Sequence, residues 1–350
     1  MRILVTGASG FAGSRLIPRL LSDGHLVCAL ARDPARVDVE GMMSRFSQTP
    51  RARARSQRAE RAQPLTVLTG DVLTGEGLAR ALRGVEVAYY LIHSMERLPA
   101  GERSPFPERE RSAAENFAAA AASAGVHRIV YLGGPTASWT AGGERAGSRA
   151  TDYHYLSRHL ASREAVERIL RDAIPHTVVL RASIVVGARS RSLRFLVRLV
   201  ERMPVLALPA WRSHRTRPID ARDVTDMLAA AATATAVAGQ TLDVGGPDIL
   251  SYGEMIRRIA ELMLVARPSV GLGVSATPLT ARVAAAIAGE DPELVSALME
   301  SLQGDLLPGG PRGRAHLRAA TLLEVDLHSF DSAVERALRE WEEVEPLAAR

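Results

Sequence analysis

Two short stretches of this sequence carry residue types at spacings that could do chemistry. The first is TGASGFAG, residues 6–13, in which Gly7, Gly10 and Gly13 recur at every third position directly after the apolar run RILVT. Glycine permits a tight turn without a Cβ and a close backbone approach to an anion. A helix opening at the same point would aim its free N–H groups and positive dipole end there as well. Such a loop can cradle a pyrophosphate, with Thr6, Ser9 and Phe11 as its non-glycine members. The second stretch is YLSRHLASR, residues 155–163, where Tyr155, His159 and Arg163 fall four apart and so share one helix face. A histidine titrates near neutral pH and can shuttle a proton, a tyrosine can donate one, and a guanidinium can hold a hydroxyl or phosphate through directed hydrogen bonds.

Both stretches need a frame of strands and helices. Continuously apolar runs at 2–6, 26–31, 65–69, 85–92, 128–133 and 177–183 read as strands covered on both faces. Helix-like segments at 14–24, 76–84, 108–125 and about 157–172 lie between them, several stopping at a glycine (Gly24, Gly84, Gly125). This alternation predicts an α/β fold, a doubly wound parallel sheet of Rossmann type, with the glycine loop opening the first helix. Beyond Gly187 the rhythm loosens into mainly helical segments, with one further strand at 240–246. The expected partition is a dinucleotide-binding domain over 1–187 that returns through 218–246. A smaller helical domain would be assembled from 188–217 and 247–350.

A glycine trio directly after the first strand of an alternating α/β chain is a specific signal for a dinucleotide. An acidic residue about 20 positions on would bind a ribose 2′-hydroxyl, whereas an arginine would pair with a 2′-phosphate. The second strand ends ALARDPAR, so Arg32 comes first at its tip, Asp33 next and Arg36 close behind. The expectation is NADP(H) in preference to NAD(H), with an inward-turned Asp33 as the alternative.

The spacing Gly-x-x-Gly-x-x-Gly, together with LARDPARV, GDV at 70–72, GVHRIVYLGG, RASIVVG, AYYLIHSM, PIDARDV and LDVGGPDILSYGEM, resembles the extended and atypical short-chain dehydrogenase/reductases, and among them the NmrA-like NAD(P)-binding branch. The resemblance covers most of the chain, omits the Arg-rich stretch 41–63 and thins after about residue 310. It implies that Asp71 and Val72 border the adenine, and that Leu91 and His93 flank the pyrophosphate–ribose side. A strand-to-helix cap is a second and compatible role for Asp71. The resemblance also places His159 where such reductases carry the proton-transfer tyrosine, Arg163 where they carry lysine, and Gly133 or Gly134 near their serine. The chain has no lysine, so all 44 of its basic residues are arginine and no shift of alignment restores the usual pair. Arg163 keeps the anchoring half of the lysine's work. His159 and Tyr155 either transfer the proton or only line the nicotinamide pocket.

Composition narrows the function classes. The chain has 350 residues, is 47% apolar and 24% charged, and carries a net charge of +5. Residues 41–63 hold six arginines and one glutamate, again +5, so the basic character is local and argues against a nucleic-acid-binding fold. That stretch reads as a solvated insertion loop. No apolar run reaches the length of a membrane span and no leader is evident, which leads to the expectation of a cytoplasmic protein. The single Cys28 reads as a buried thiol, and no Cys/His cluster has metal-ligand spacing. The segment WRSHRTRP (211–218) offers an aromatic plane and cations either to a substrate cleft or merely to solvent. The implied function is an NAD(P)H-dependent oxidoreductase acting on a small, apolar carbonyl or hydroxyl compound. The alternative is a non-catalytic NAD(P)(H) sensor acting through a protein partner.

Overall fold

The computed structural model describes residues 1–47, 63–92, 106–136, 139, 158–273, 278–289, 295–296, 299, 302, 304–308, 313–343 and 345. Its centre is a seven-stranded sheet of β1 (Arg2–Thr6), β2 (Leu26–Ala31), β3 (Leu65–Thr69), β4 (Val87–Tyr90), β5 (Arg128–Gly133), β6 (Val178–Ala182) and, later in the chain, β11 (Thr241–Val244). The spatial order is β11-β6-β5-β4-β1-β2-β3, with every neighbouring pair parallel. The chain winds outward from β1 through β2 to β3, then returns to the other side of β1 with β4. The strand order therefore reverses between β1 and β4, where a crevice opens at the carboxyl ends of open α/β sheets.

Helices cover both faces, as continuously apolar strands require. On one face α1 (Phe11–Ser22) packs beside α7 (Ala221–Ala231), with Leu16, Ile17, Leu20, Val224, Met227 and Leu228 all buried. On the other, α3 (Leu78–Ala81), α4 (Phe106–Ser123) and α5 (Arg158–Ala173) enclose Phe117, Val166, Leu170, Tyr90 and Tyr131. A separate apolar cluster joins α6 (Arg191–Arg202), α8 (Tyr252–Leu262), α9 (Pro278–Ala288) and the closing α11 (Phe330–Glu342). The helix α10 (Ala315–Leu322) packs against β11, and its Ala319 and Ala320 join the core of the sheet although neighbouring sequence belongs to the other cluster.

The stretch 41–63 departs from the loop expected of it. Residues 41–47 belong to α2 (Val39–Ser47), because Met42, Met43 and Phe46 recur at helical spacing and pack on the α1 face of the sheet. The arginine run that follows lies outside the described residues. Among the described residues no helix is long and apolar enough to cross a membrane. Cys28 is buried in β2, and burial pushes its thiol above the ordinary range.

Candidate functional site

The glycine loop lies on the β1 side of the strand-order reversal. The Thr6 hydroxyl donates to the Tyr89 carbonyl at 2.9 Å and accepts from the Leu91 N–H at 3.2 Å, stitching the end of β1 to the end of β4. Gly7 follows with φ +65°, and a Cβ there would fall 2.7 Å from the Leu91 carbonyl oxygen. Gly13 is packed as tightly: its Cβ would lie 2.3 Å from the Gly7 oxygen. Gly10 is the N-cap of α1 and contributes no side-chain cap, and the first turn carries no acidic residue. The first-turn N–H groups, which no helix satisfies internally, are thus left to an external acceptor. Ser9 and Gly10 are exposed, so the outer face of the loop is open. These residues fit a dinucleotide pyrophosphate.

Behind the loop, the Phe11 ring sits where a Cβ on Gly187 would be 2.9 Å away, and the Arg15 guanidinium lies 5.2 Å from the ring centroid. Arg15 also pairs with Glu340 of α11 at 2.5 Å. The first turn of α1 is therefore braced by the C-terminal helix.

At the end of β2, Arg32, Asp33 and Arg36 are exposed. The Asp33 carboxylate accepts from the Ala35 N–H at 3.0 Å and so caps the short turn Pro34–Arg36. One arginine that sequence reasoning passed over, Arg45 of α2, reaches the Ser14 carbonyl of α1 at 3.5 Å. At the end of β3 the Asp71 carboxylate accepts from Leu73 N–H at 2.8 Å and so closes a local turn, whereas the N-cap of α3 is Gly77, and Val72 is buried. A second residue missed in the sequence, Asn116 of α4, donates to the carbonyls of Val72 and Leu73 at 3.2 and 2.7 Å and fixes this turn from outside. Its only sequence signal is a lone amide within an alanine-rich helix.

Tyr155 and His93 fall outside the described residues, and for His159 the description extends to its helical backbone in α5. Arg163 is 9% exposed. Its guanidinium donates to the Ile92 carbonyl at 3.4 Å and to the Leu132 carbonyl, and lies 5.1 Å from the Tyr131 ring centroid. It clips the ends of β4 and β5 together. Tyr131 donates its hydroxyl to the Arg163 carbonyl at 3.3 Å, and burial pushes that phenol well above its ordinary value, opposed in part by Arg163. At Gly133 a Cβ would lie 3.2 Å from Tyr131 Cε1, a tight contact that a shift of a few tenths of an ångström in the ring would relieve.

The WRSHRTRP segment is largely built into the protein. Trp211 is buried in the cluster of α6 and α8, His214 Nδ1 lies 2.6 Å from the Leu302 carbonyl, and Arg215 pairs with Asp305 at 2.9 Å. Arg217 is buried as well.

A family model described as NAD(P)H-binding matches residues 7–187, just over half of the chain. The chain belongs to this NAD(P)H-binding family. Its residues align with 3-beta-hydroxysteroid dehydrogenase of Mycolicibacterium neoaurum at 30% identity over 137 residues, 37% of this chain and 31% of that protein. A 3 beta-hydroxysteroid dehydrogenase/Delta 5-->4-isomerase of Mycobacterium tuberculosis (strain ATCC 25618 / H37Rv) aligns at 29% over 136 residues, covering 37% and 30%. The alignment spans about a third of either relative's length. Among solved structures, the UDP-glucuronic acid 4-epimerase of Bacillus cereus in complex with NAD superposes with TM-score 0.65 at 18% identity, over 99% of this chain and 97% of that one. A nucleoside-diphosphate-sugar epimerase of Staphylococcus aureus gives TM-score 0.68 at 14% identity, over 96% and 100%. This likeness is one of fold. It agrees with the resemblance to the extended short-chain dehydrogenase/reductases.

Proposed function

We propose that this family member is an oxidoreductase of the atypical, NmrA-like type that uses NADP(H) in preference to NAD(H), acting on a small carbonyl or hydroxyl compound. The observation that carries the reading is the uncapped N-terminus of α1 behind three glycines, two of which have no room for a Cβ, at the reversal of strand order. Bound there, the cofactor would supply or accept hydride through its nicotinamide. The amides of the loop would hold its pyrophosphate, and the Asp71–Val72 turn, steadied by Asn116, would border the adenine. The preference for a 2′-phosphate is supported by Asp33, whose carboxylate is engaged with its own turn, and by the arginines at 32 and 36 beside it. The named relatives that share part of the sequence are dehydrogenases, which favours redox chemistry.

A second reading, a sensor that binds NADP(H) without turnover, is favoured by Arg163. At the position expected of a catalytic lysine its guanidinium is engaged with two strand-end carbonyls. Titration with NADPH and NADH, followed by oxidation of bound NADPH against a panel of carbonyl compounds, separates the readings. Turnover that falls at least tenfold in His159→Ala would support the proton-transfer role of His159. Turnover unchanged in that variant leaves it a pocket residue, and tight binding without turnover supports the sensor. Absence of dinucleotide binding at millimolar concentration refutes both.

A further inference from the structure

Outside the seven-stranded sheet, β8 (Leu206–Leu208) and β13 (Ser269–Gly271) form a parallel pair beside the cluster of α6 and α8. Leu206 and Leu208 are buried in that cluster, whereas all three residues of β13 are exposed. The ladder between the two strands fixes which way each main-chain group points. Leu206 N–H donates to the Pro268 carbonyl at 2.9 Å, and Leu272 N–H to the Leu208 carbonyl at 2.8 Å. In a parallel pair of that register, residues 268, 270 and 272 turn their main-chain groups toward β8, and Ser269 and Gly271 turn theirs away. Among the described residues the two outward N–H groups and two outward carbonyls have no hydrogen-bond partner.

The surface on the solvent side of this edge is apolar. Ala207 and its register partner Val270 share that face, with Val205 just before β8 and Leu264 at the end of α8 exposed nearby in the chain. Val270 is 54% exposed and Leu264 87%. Arg267 is engaged with the carbonyls of Val200 and Glu201 at 2.8 and 3.1 Å. The Arg212 guanidinium lies where a Cβ on Gly271 would point, which is the face opposite Val270. Exposed edge strands are usually blunted by charge, proline or a bulge. Pro209 does this for β8, since its missing N–H falls on the outer side of that strand. Pro268 does not do it for β13, because its missing N–H falls on the side facing β8.

We infer that β13 pairs with β13 of a second copy of this chain, antiparallel about a two-fold axis beside Val270. The strand is complementary to itself in one register. With Val270 facing its own copy, Ser269 stands opposite Gly271 and Gly271 opposite Ser269, so every outward group of both strands is matched across the axis. A register centred on Ser269 or on Gly271 matches only half of them. At the axis the two valines form a non-hydrogen-bonded pair, the kind whose side chains approach more closely, on the apolar face. A lipid surface would cover the same apolar side chains but leave the outward N–H and C=O groups unmatched, which is costly. A second copy satisfies both. The inference stands on the fold alone and is independent of the oxidoreductase reading.

The test is sedimentation equilibrium of the full chain, wild type and Val270→Lys, together with oxidation of Val270→Cys and Ser269→Cys by oxidised glutathione. The edge is short, so the wild type should dimerise weakly, with a dissociation constant on the order of 100 µM. Val270→Lys sets two ammonium groups face to face at the axis. It should weaken dimerisation by at least about tenfold while unfolding in urea like the wild type. Residues opposed in a non-hydrogen-bonded pair have Cα atoms about 4.5 Å apart, within the span of a disulfide, whereas Ser269 and its copy would be about 8 Å apart, beyond it. Val270→Cys should therefore form a covalent dimer at least about fivefold faster than Ser269→Cys. Cys28 is buried and does not compete. A wild type that stays monomeric at about 1 mM overturns the inference, whether or not it binds phosphatidylglycerol vesicles. So does a dimer indifferent to Val270→Lys, or equal cross-linking of the two cysteine variants. Should a variant fail to fold, the wild-type sedimentation and the remaining variants still decide the matter.

Discussion

Gly10→Ala separates two jobs that glycine performs in this loop. At Gly13 an added Cβ would meet the Gly7 oxygen at 2.3 Å and the Ala8 Cα at 2.9 Å, so alanine there must displace backbone. At Gly10 the nearest atom, again the Gly7 oxygen, is 3.1 Å away, a contact that a few tenths of an ångström relieve. Overpacking typically costs about 1–3 kcal/mol, and Gly10→Ala belongs at or below the lower end of that range, Gly13→Ala at the upper. Gly10 is also exposed and forms the N-cap of α1, where its new methyl would stand in the path of the pyrophosphate. Losing one or two hydrogen bonds to a charged phosphate is worth about 1.5–3 kcal/mol each, which is about 10- to 100-fold in dissociation constant for the first. The expected pattern is therefore asymmetric. Gly10→Ala weakens NADPH by at least tenfold in a fluorescence titration while its urea midpoint stays close to wild type. Gly13→Ala lowers the midpoint and the affinity together. If Gly10→Ala bound NADPH within twofold of wild type, the loop would not be holding the pyrophosphate and the cofactor argument would collapse.

Three further perturbations test other parts of the molecule. Arg32→Ala should weaken NADPH by roughly tenfold through loss of a charge-assisted hydrogen bond and leave NADH unchanged, measured as the ratio of the two dissociation constants; equal losses for both cofactors would remove the 2′-phosphate role. Arg163→Lys replaces a fork that spans the Ile92 and Leu132 carbonyls by a single ammonium, and should destabilise the protein by about 1–3 kcal/mol in urea without raising carbonyl reduction; a gain in turnover would show that the site lacked only its lysine. His316→Gln should flatten the acid side of the stability profile. The folded histidine is held down to about 4 against an unfolded value near 6.5, so the unfolded chain binds more protons between those values, and the stabilising contribution is present above the upper one and lost as pH falls through the window. Wild-type stability should therefore fall more steeply than the variant's between these limits, and parallel profiles would contradict the neutral buried ring.

Legibility in the sequence followed the physics of each signal. The sheet strands are recognisable to within about two residues: β1, β2 and β4 are apolar runs buried on both faces, while the edge strands β3 and β11 carry polar residues and are only partly buried. The glycine loop was equally plain, since a turn with no room for a Cβ must be written in glycine. Helix α2 was hidden because its three packing residues, Met42, Met43 and Phe46, run directly into arginines that read as solvated coil. Arginine was ambiguous at 217: within RSHRTRP a cleft cation and a surface cation read alike, and only the fold shows that it is enclosed. Asn116 was invisible for a related reason. Its partners are main-chain carbonyls more than 40 residues away, and backbone acceptors leave no trace in side-chain type.

The arginine at 163, in a chain without lysine, has a physical consequence of its own. A lysine ammonium is a mobile point charge that can move between a phenol and a ribose; a guanidinium is a planar fork that locks when two acceptors match it. In this protein the fork is matched by the ends of two adjacent strands and its plane is supported by Tyr131. The cation at the head of α5 is thus fixed in place. It can set the field around whatever binds over β4 and β5, and it stiffens the edge against which a nicotinamide would lie, but it is poorly suited to follow a moving proton. Any proton transfer here would then fall to a side chain other than Arg163, with His159 and Tyr155 as the candidates, and the turnover of His159→Ala is the measurement that chooses between them.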